Sequence, residues 1–301
     1  MTAPLATLFV LGGPTAVGKT PAAIQLARHF GTEVVSADAR QFYHQLRIGA
    51  ALPTPEEMAD VKHHFIGQLD IHESMSAGAY ERAALPIVTD LLGRHGTAIL
   101  VGGSGLYIDA LLTGLDPLPP SDPELRRDLL HRMGTEGLPA LVTQLATLDP
   151  AAYATIDRQN PHRVLRALEV CLATGTSFSA HHARTPKARP WRTVKLALEV
   201  PREDLYARID QRVARMMEQG LLEEARALLP YRHLNALNTV GYKELFDHFD
   251  GRTALQEAIA LIQQHTRNYA KRQMTWLRRD PEWQWVAPDP APLIERCDAA
   301  K

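Results

Sequence analysis

Residues 13–20 carry the most specific chemical pattern in this sequence. They fit G-x-x-x-x-G-K-[ST], after an apolar run at residues 5–11 and before a helical pattern at residues 21–30. Glycines in such a loop let backbone N–H groups point inward beside a helix N-terminus, and this arrangement binds phosphates. Lys19 would neutralise phosphate oxygens, and the Thr20 hydroxyl would ligate Mg²⁺. The predicted site for linked phosphates consists of Gly13, Pro14, Thr15, Ala16, Val17, Gly18, Lys19 and Thr20.

A carboxylate, Asp38, directly follows the next predicted strand, residues 33–37. Because ligands of open parallel sheets bind beyond the carboxyl ends of the strands, we expect Asp38 to face the contents of the phosphate loop. In one reaction, Asp38 takes a proton from a nucleophile that attacks a terminal phosphorus, as in a small-molecule kinase. In the other, the nucleophile attacks carbon and diphosphate is the leaving group. The residues alone leave both reactions open.

Three further segments are candidates for a site. Arg208, Arg212 and Arg215 lie near one face of a helix predicted over residues 201–229, as either a solvated face or a diphosphate clamp. The glycines of residues 102–107 follow a predicted strand at 97–101, and they indicate either close approach to a ligand or tight packing. Residues 63–64 are paired histidines with no Asp, Glu or Cys at a supporting spacing. We expect them to make hydrogen bonds rather than bind metal.

The elements that position these residues predict an α/β fold. Strands are expected at residues 5–11, 33–37, 97–101, 194–200 and 283–286, with helical patterns between them. The fold class is a P-loop NTPase-like parallel sheet flanked by helices, with an all-helical insertion domain.

The domain boundaries come from a change of pattern. A proline-rich segment at residues 116–120 leads into a stretch that contains only helical patterns. Residues 1–116 and 192–301 are therefore predicted to form the P-loop catalytic core, and residues 117–191 the helical insertion domain. We expect the residues after Val286 to form a loose tail.

Composition excludes several classes of protein. The chain has 301 residues, a net charge of −1 and two cysteines far apart, so no disulfide framework or zinc site is indicated. It shows no secretory signal and no apolar run of membrane length, so we expect a cytoplasmic protein with no membrane association. Residues 158–195 hold eight Lys or Arg and one acid, and residues 267–279 hold five and none. Two such blocks favour a polyanionic partner.

Several segments taken together resemble the IPP transferase family, the tRNA dimethylallyltransferases, which prenylate an adenosine beside the anticodon. The resemblance spans nearly the whole chain in family order. Its segments are residues 13–20, 37–43, 63–64, 102–112, 160–169, 208–213, 239–245 and 269–279.

The resemblance implies transfer of the dimethylallyl group of dimethylallyl diphosphate to N6 of adenosine 37 in tRNA, with release of diphosphate. The implied partners are dimethylallyl diphosphate and the tRNA anticodon stem-loop, the implied cofactor is Mg²⁺, and a monomer is expected. The phosphate loop would hold a prenyl diphosphate, so the ATP-binding or other nucleotide-binding function that the motif alone suggests would be misleading.

The resemblance also implies roles for individual residues. Asp38 matches the general base, and Lys19 and Arg212 act with it; residues 13–20 match the diphosphate site, with Thr20 on Mg²⁺. The implied tRNA contacts are Asp38, Ala39, Arg40, Gln41, Ser104, Arg126, His162, Arg163, Val164, Leu165, Arg166, Asn238, Thr239, Val240, Gly241, Tyr242 and Lys243. Two positions depart from the family, which commonly has Ser at 39 and Thr at 104.

Other classes of function stay open on the sequence. The adenylate dimethylallyltransferases prenylate a free nucleotide, which does not need the basic insertion. A P-loop small-molecule kinase would use ATP. A non-catalytic tRNA-binding protein would not need Asp38, Lys19 and Thr20 together.

Overall fold

The computed structural model describes residues 6–58, 60–116, 118–181 and 186–301. Leu5 of the first predicted strand, Pro117 at the predicted domain boundary and Arg184 of the first basic block lie outside the described residues. The chain divides into two compact units, one of Met1–Thr113 with Ala188–Lys301 and one of Gly114–Lys187. The domain boundaries predicted at residues 117 and 191 stay predictions, and they lie a few residues from the ends of the second unit.

The first unit is built on a parallel sheet. Among the described residues its strands are β1 (Thr7–Gly12), β2 (Val34–Ser36), β3 (His63–His64), β4 (Thr97–Val101), β5 (Arg192–Leu198) and β6 (Gln284–Val286). Their order across the sheet is β3-β2-β4-β1-β5-β6, and each neighbouring pair runs parallel. The predicted α/β class is confirmed, and β3 is a strand that the sequence did not predict.

Helices connect and cover the strands. In chain order they are α1 (Lys19–Phe30), α2 (Pro55–Met58), α3 (Ala77–His95), α4 (Gly105–Thr113), α5 (Pro123–Glu136), α6 (Leu138–Leu148), α7 (Pro150–Thr155), α8 (Pro161–Thr174), α9 (Phe178–His181), α10 (Arg202–Glu218), α11 (Leu221–Leu228), α12 (Tyr242–Phe249), α13 (Leu255–Leu277) and α14 (Pro290–Ala299). Across the described ranges, none of these helices is both long and apolar enough to cross a bilayer.

Side-chain alternation along the central strands gives the first unit a core on each face of the sheet. Leu8 and Val10 of β1 belong to one buried cluster, and Phe9 and Leu11 belong to the other. The flanking strands β4 and β5 alternate in the same way. A parallel sheet buried on both faces in this manner presents only its strand ends to a ligand.

Two sequence expectations are wrong. The helix predicted over residues 201–229 is two helices, α10 and α11, because Gly220 between them has a φ of 100°, a left-handed conformation that an α-helix cannot contain. The predicted loose tail contains α14. Asp289 caps this helix by accepting the Ala291 N–H at 3.3 Å, and Leu293 and Cys297, one turn apart, are buried.

The second unit consists of α5 to α9. Its buried core is formed by Leu129, Leu141, Leu145, Val164, Leu165, Ala167 and Leu168. Beside this core, the Glu169 carboxylate is only 1% exposed. It accepts a hydrogen bond from the Asp122 N–H at 3.1 Å and lies 3.2 Å from Arg166 and 3.4 Å from Arg126. A buried carboxylate is stable here because these donors surround it.

Candidate active site

The phosphate loop connects the buried strand β1 to α1. Gly13 and Gly18 have φ angles of 154° and 106°, and Ala16 has a φ of 65° although it is not a glycine. The N-cap of α1 is Gly18, which has no side chain to take up the N–H groups of the first helical turn. The backbone therefore turns sharply and directs the helix N-terminus at the space that an anion would occupy.

Lys19 folds back over this loop. Its ammonium group donates hydrogen bonds to the carbonyl oxygens of Gly13 at 2.9 Å and Pro14 at 2.7 Å. Burial lowers the pKa of Lys19 to about 8, an effect that Asp38 opposes and that the neighbouring charge of Arg212 strengthens. A bound anion would favour the charged form of Lys19 and oppose this lowering of its pKa.

Two arginines of α10 contact the loop. Arg208 donates to the Val17 carbonyl oxygen at 3.3 Å, and Arg212 lies 3.5 Å from the Thr15 hydroxyl. Burial also lowers the pKa of Arg212, although an arginine stays protonated under all ordinary conditions. These contacts favour the clamp interpretation of the arginine row over a solvated face.

Asp38 lies just beyond the carboxyl end of β2. It is half-buried, and one of its carboxylate oxygens accepts the Arg40 N–H at 3.0 Å, so the turn after the strand fixes the orientation of the carboxylate. Its charge acts on both Lys19 and Arg212. The predicted base therefore lies beside the predicted phosphate site.

The glycines after β4 are explained by packing. A Cβ atom on Gly102 would collide with the Ala37 carbonyl group, one on Gly103 with the Gln273 amide and one on Gly105 with the Trp276 ring. This close approach lets the Ser104 N–H donate to the Ala37 oxygen at 3.2 Å. Of the two interpretations, the structure supports tight packing.

Ser104 joins this junction to the segment that carries Asp38. Its hydroxyl accepts the Ala39 N–H at 3.0 Å. The hydrogen bond at residue 39 uses the backbone N–H, so it does not depend on the serine hydroxyl that Ala39 lacks. At residue 104, a serine supplies the same hydroxyl as the threonine common in the family.

Arg40 ties the same segment to residues 235–238. Its guanidinium donates to the carbonyl oxygens of Asn235 at 2.9 Å, Ala236 at 3.1 Å and Asn238 at 3.2 Å. The Gln41 amide is also engaged, since it donates to the Ala51 oxygen at 3.1 Å. Both side chains were predicted as tRNA contacts, and in this structure both brace the protein.

These segments surround one cleft of about 1590 Å³ in the first unit. The predicted site residues that line it come from the phosphate loop, the Asp38 segment, the glycine junction, α10 and the turn before α12. They are Thr15, Ala16, Gly18, Lys19, Thr20, Asp38, Ala39, Arg40, Gln41, Ser104, Arg212, Asn238, Thr239, Val240, Gly241 and Lys243.

Three predicted tRNA contacts need correction because their side chains belong to the core. Val164 and Leu165 are fully buried in the helical unit, and Tyr242 is fully buried with its hydroxyl donating to Glu224 at 2.6 Å. These side chains are inaccessible to RNA. Of the predicted diphosphate residues, Gly13, Pro14 and Val17 are also buried, so only their backbone could contribute.

The first basic block, residues 158–195, is partly structural. Arg166 pairs with Glu169, Arg189 pairs with Glu81 at 3.0 Å, and Lys195 pairs with Asp280 at 2.7 Å. Arg126, a predicted tRNA contact outside this block, also pairs with Glu169. In contrast, His162 and Arg163 on the first turn of α8 are exposed. The accessible positive charge of residues 158–195 is therefore smaller than the sequence count indicates.

The paired histidines make the hydrogen bonds that were expected. His63 donates to the Val61 oxygen at 2.7 Å, and His64 to the Glu33 carboxylate at 2.6 Å. Among the described residues, no cluster of three or more His, Cys, Asp or Glu side chains is suited to hold a metal ion.

Sequence reasoning missed Gln273, which contacts the phosphate loop. Its amide oxygen accepts the Thr15 N–H at 2.8 Å. The available signal was its position on α13, where it shares a buried face with Ala270 and Leu277 at helical spacing. An amide in an apolar stripe needs a buried partner, but the sequence does not identify that partner.

A model of the IPP transferase family matches residues 41–280. The chain is 49% identical over 283 residues to tRNA dimethylallyltransferase 1 of Phocaeicola vulgatus, covering 94% of each protein. It is 48% identical over 273 residues to tRNA dimethylallyltransferase of Christiangramia forsetii, covering 91% of this chain and 90% of that protein.

Solved structures give the same picture. The tRNA isopentenylpyrophosphate transferase of Bacillus halodurans is similar with a TM-score of 0.72 and 35% identity, over 98% of this chain and 95% of that chain. A eukaryotic dimethylallyltransferase, solved acting on tRNA, is similar with a TM-score of 0.79 and 26% identity, over 94% of this chain and 74% of that chain.

The packing at the glycine junction predicts opposite effects of two Gly→Ala substitutions. Gly102→Ala should lower the free energy of unfolding by about 1–3 kcal/mol, because its Cβ would push against the backbone before Asp38. Gly93→Ala is the matched control, since Gly93 lies within α3 with no atom near the added Cβ, and it should raise stability by about 0.5–1 kcal/mol. Chemical denaturation measures both, and an unchanged Gly102→Ala stability would contradict the packing.

The lowered pKa of Lys19 predicts a pH dependence of anion binding. The neutral amine forms above a pKa of about 8, so the affinity of the free protein for inorganic diphosphate should fall as pH rises through that value. Lys19→Arg keeps its charge across this range and should lose this component of the pH dependence. Calorimetric titration of both proteins from about pH 7 to pH 9 measures it. Identical pH profiles would remove Lys19 from the anion site.

Proposed function

The chain belongs to the IPP transferase family, and we infer that it is a tRNA dimethylallyltransferase, which transfers the dimethylallyl group of dimethylallyl diphosphate to N6 of adenosine 37 in tRNA and releases diphosphate. The observation that carries the chemistry is the cleft in which a carboxylate, Asp38, lies beside a cationic phosphate loop. That pairing suits a nucleophile that loses a proton and a leaving group that gains negative charge.

The diphosphate end of the reaction uses the loop and its cations. As the bond between C1 of the dimethylallyl group and the bridging oxygen breaks, negative charge develops on the diphosphate. Lys19, Arg208 and Arg212 all contact the loop, so their charges lie close enough to this position to stabilise the developing charge. This is the role we assign to residues 13–20.

The Thr20 hydroxyl also fits a Mg²⁺ ion that binds together with the phosphates of the substrate. The Thr20 hydroxyl lines the cleft on the first turn of α1, and Mg²⁺ is commonly held by one or two protein oxygens together with substrate phosphates and water. Thr20 would therefore be its protein ligand. When bound, Mg²⁺ supplies charge neutralisation on the phosphate oxygens.

The acceptor end uses Asp38 as a general base. The exocyclic amine of adenine is a weak nucleophile because its lone pair is delocalised into the ring. As N6 forms its bond to C1, it becomes acidic, and the Asp38 carboxylate takes the proton. The adenine must leave the stacked anticodon loop to reach the cleft, as bases do in other enzymes that modify them.

The RNA-binding assignments follow accessibility. In the first unit, Asn238 and Lys243 are exposed at the cleft. In the helical unit, His162 and Arg163 are exposed, and we assign RNA contacts to these side chains rather than to Val164 and Leu165. We propose that the protein acts in the cytoplasm as a monomer, which suits a tRNA substrate.

A labelling experiment tests the function. The protein is incubated with unmodified tRNA, Mg²⁺ and labelled dimethylallyl diphosphate, and the digested tRNA is analysed for the labelled nucleoside. Label on N6 of adenosine is expected. Label on added AMP but not on tRNA would move the protein to the free-nucleotide class, and consumption of ATP without any prenyl transfer would indicate a kinase.

The role of Asp38 predicts a rate effect separate from binding. Asp38→Asn should lower the single-turnover rate of prenyl transfer about 10²–10⁴-fold, because the amide cannot accept the proton from N6. Filter binding of tRNA should change little. Asp90→Asn removes an exposed carboxylate that pairs with Arg94 on α3 and serves as the control. A wild-type rate in Asp38→Asn would exclude Asp38 as the base.

Two arginines of α8 should have different roles: Arg163 in tRNA binding and Arg166 in stability. Arg163→Gln should weaken tRNA binding and reduce its salt slope by about one unit, because one phosphate contact is lost. Arg166→Gln should instead lower thermal stability, because Glu169 would stay buried with one cation fewer. If Arg163→Gln leaves the salt slope unchanged, this face of α8 does not contact RNA.

A further inference from the structure

The Gln273 side chain uses both ends of its amide to join two loops. Its oxygen accepts the Thr15 N–H of the phosphate loop at 2.8 Å, and its nitrogen donates to the Gly103 oxygen of the glycine junction at 3.0 Å. The side chain is 6% exposed. A buried amide with both polar ends satisfied adopts one orientation and holds its partners at a set separation.

The fit around this amide is close. A Cβ atom at residue 103 would collide with the Gln273 nitrogen, so only glycine leaves room for this hydrogen bond. The next turn of α13 packs on the same junction, since the Trp276 ring lies against Gly105. From its position against the glycine junction, the Gln273 side chain also contacts the phosphate loop.

Each loop passes the constraint to a reacting group. In the phosphate loop, Thr15 is the residue whose N–H the Gln273 oxygen accepts. The Thr15 hydroxyl lies 3.5 Å from Arg212, which clamps the diphosphate. On the other side, Ser104 follows Gly103, and its hydroxyl accepts the Ala39 N–H next to Asp38 at 3.0 Å. One amide therefore lies between the residues that hold the leaving group and those that hold the base.

We propose that Gln273 is a positioning residue for prenyl transfer, which holds the phosphate loop in register with the Asp38 segment so that C1 and N6 meet at reacting distance. This rests on the proposed function. Gln273 itself acts through Thr15 and Gly103 and has no role in proton transfer. Small errors in the relative placement of two bound reactants lower the rate strongly while leaving each substrate bound, so its effect is on kcat.

Two variants disrupt the hydrogen bonds of the Gln273 amide in different ways. Gln273→Glu keeps the shape and can accept the Thr15 N–H, but a carboxylate has no hydrogen to donate to the Gly103 oxygen. Gln273→Met keeps the length and removes both hydrogen bonds. Val88→Ala, at a fully buried position of α3, is the control for loss of stability alone. Steady-state kinetics with tRNA and dimethylallyl diphosphate are measured per folded enzyme, together with thermal unfolding.

Both Gln273 variants are expected to lose at least about tenfold in kcat, while KM for each substrate changes by less than about threefold. Val88→Ala should unfold at lower temperature with an unchanged kcat. The proposal is overturned if either folded Gln273 variant keeps the wild-type kcat, or if the loss lies in KM alone.

Hydrogen exchange tests, independently of the reaction, whether Gln273 holds the phosphate loop and the glycine junction together. In Gln273→Met, peptides that contain Thr15 and peptides that contain Gly103 should both exchange faster than in the wild type, because the shared amide no longer holds them. Unchanged exchange in both would overturn the proposal. A wild-type protein that transfers no label to tRNA would refute the proposed function instead. The hydrogen-exchange result would still show whether Gln273 holds the two loops together.

Discussion

Burial of positive charge around the phosphate loop is the constraint on which the site depends. Lys19 and Arg212 are both shielded enough from water for their pKa values to be lowered, and Asp38 is the carboxylate whose charge opposes this effect on each. Half-buried cations that one carboxylate only partly matches are costly. A diphosphate supplies the missing charge. The same cations that bind it then stabilise the additional negative charge that develops when it leaves.

The fold brings these charges together with few elements. Parallel strands β1, β2 and β4 end at one edge, and each is followed directly by a segment of the site. The glycine junction after β4 permits contact with the Ala37 backbone, so that the Asp38 segment and the phosphate loop lie side by side. Helices α10 and α13 complete the cleft, because they carry the arginines and Gln273. The phosphate loop alone would be equally compatible with a kinase, and its neighbours give it a different chemistry.

Local pattern predicted much of this arrangement. The β1–loop–α1 segment is recognisable because its glycines and its flanking apolar runs are all local, and β4 has the predicted bounds for the same reason. Features that depend on distant contacts were missed or misassigned. A single glycine, Gly220, breaks the predicted long helix. Family resemblance located residues 162–166 but could not separate the exposed Arg163 from the buried Leu165. The role of Gln273 depends on partners 258 and 170 residues away in the chain.

The central claim is that the phosphate loop holds a leaving group, so that the bond to carbon breaks and the bond to phosphorus does not. Dimethylallyl diphosphate that carries heavy oxygen at the bridge between carbon and phosphorus tests this directly. The labelled substrate is turned over with tRNA, and mass spectrometry locates the heavy oxygen in the products. The account predicts all of it in the released diphosphate. Heavy oxygen in an organic product would show cleavage at phosphorus and would contradict the account.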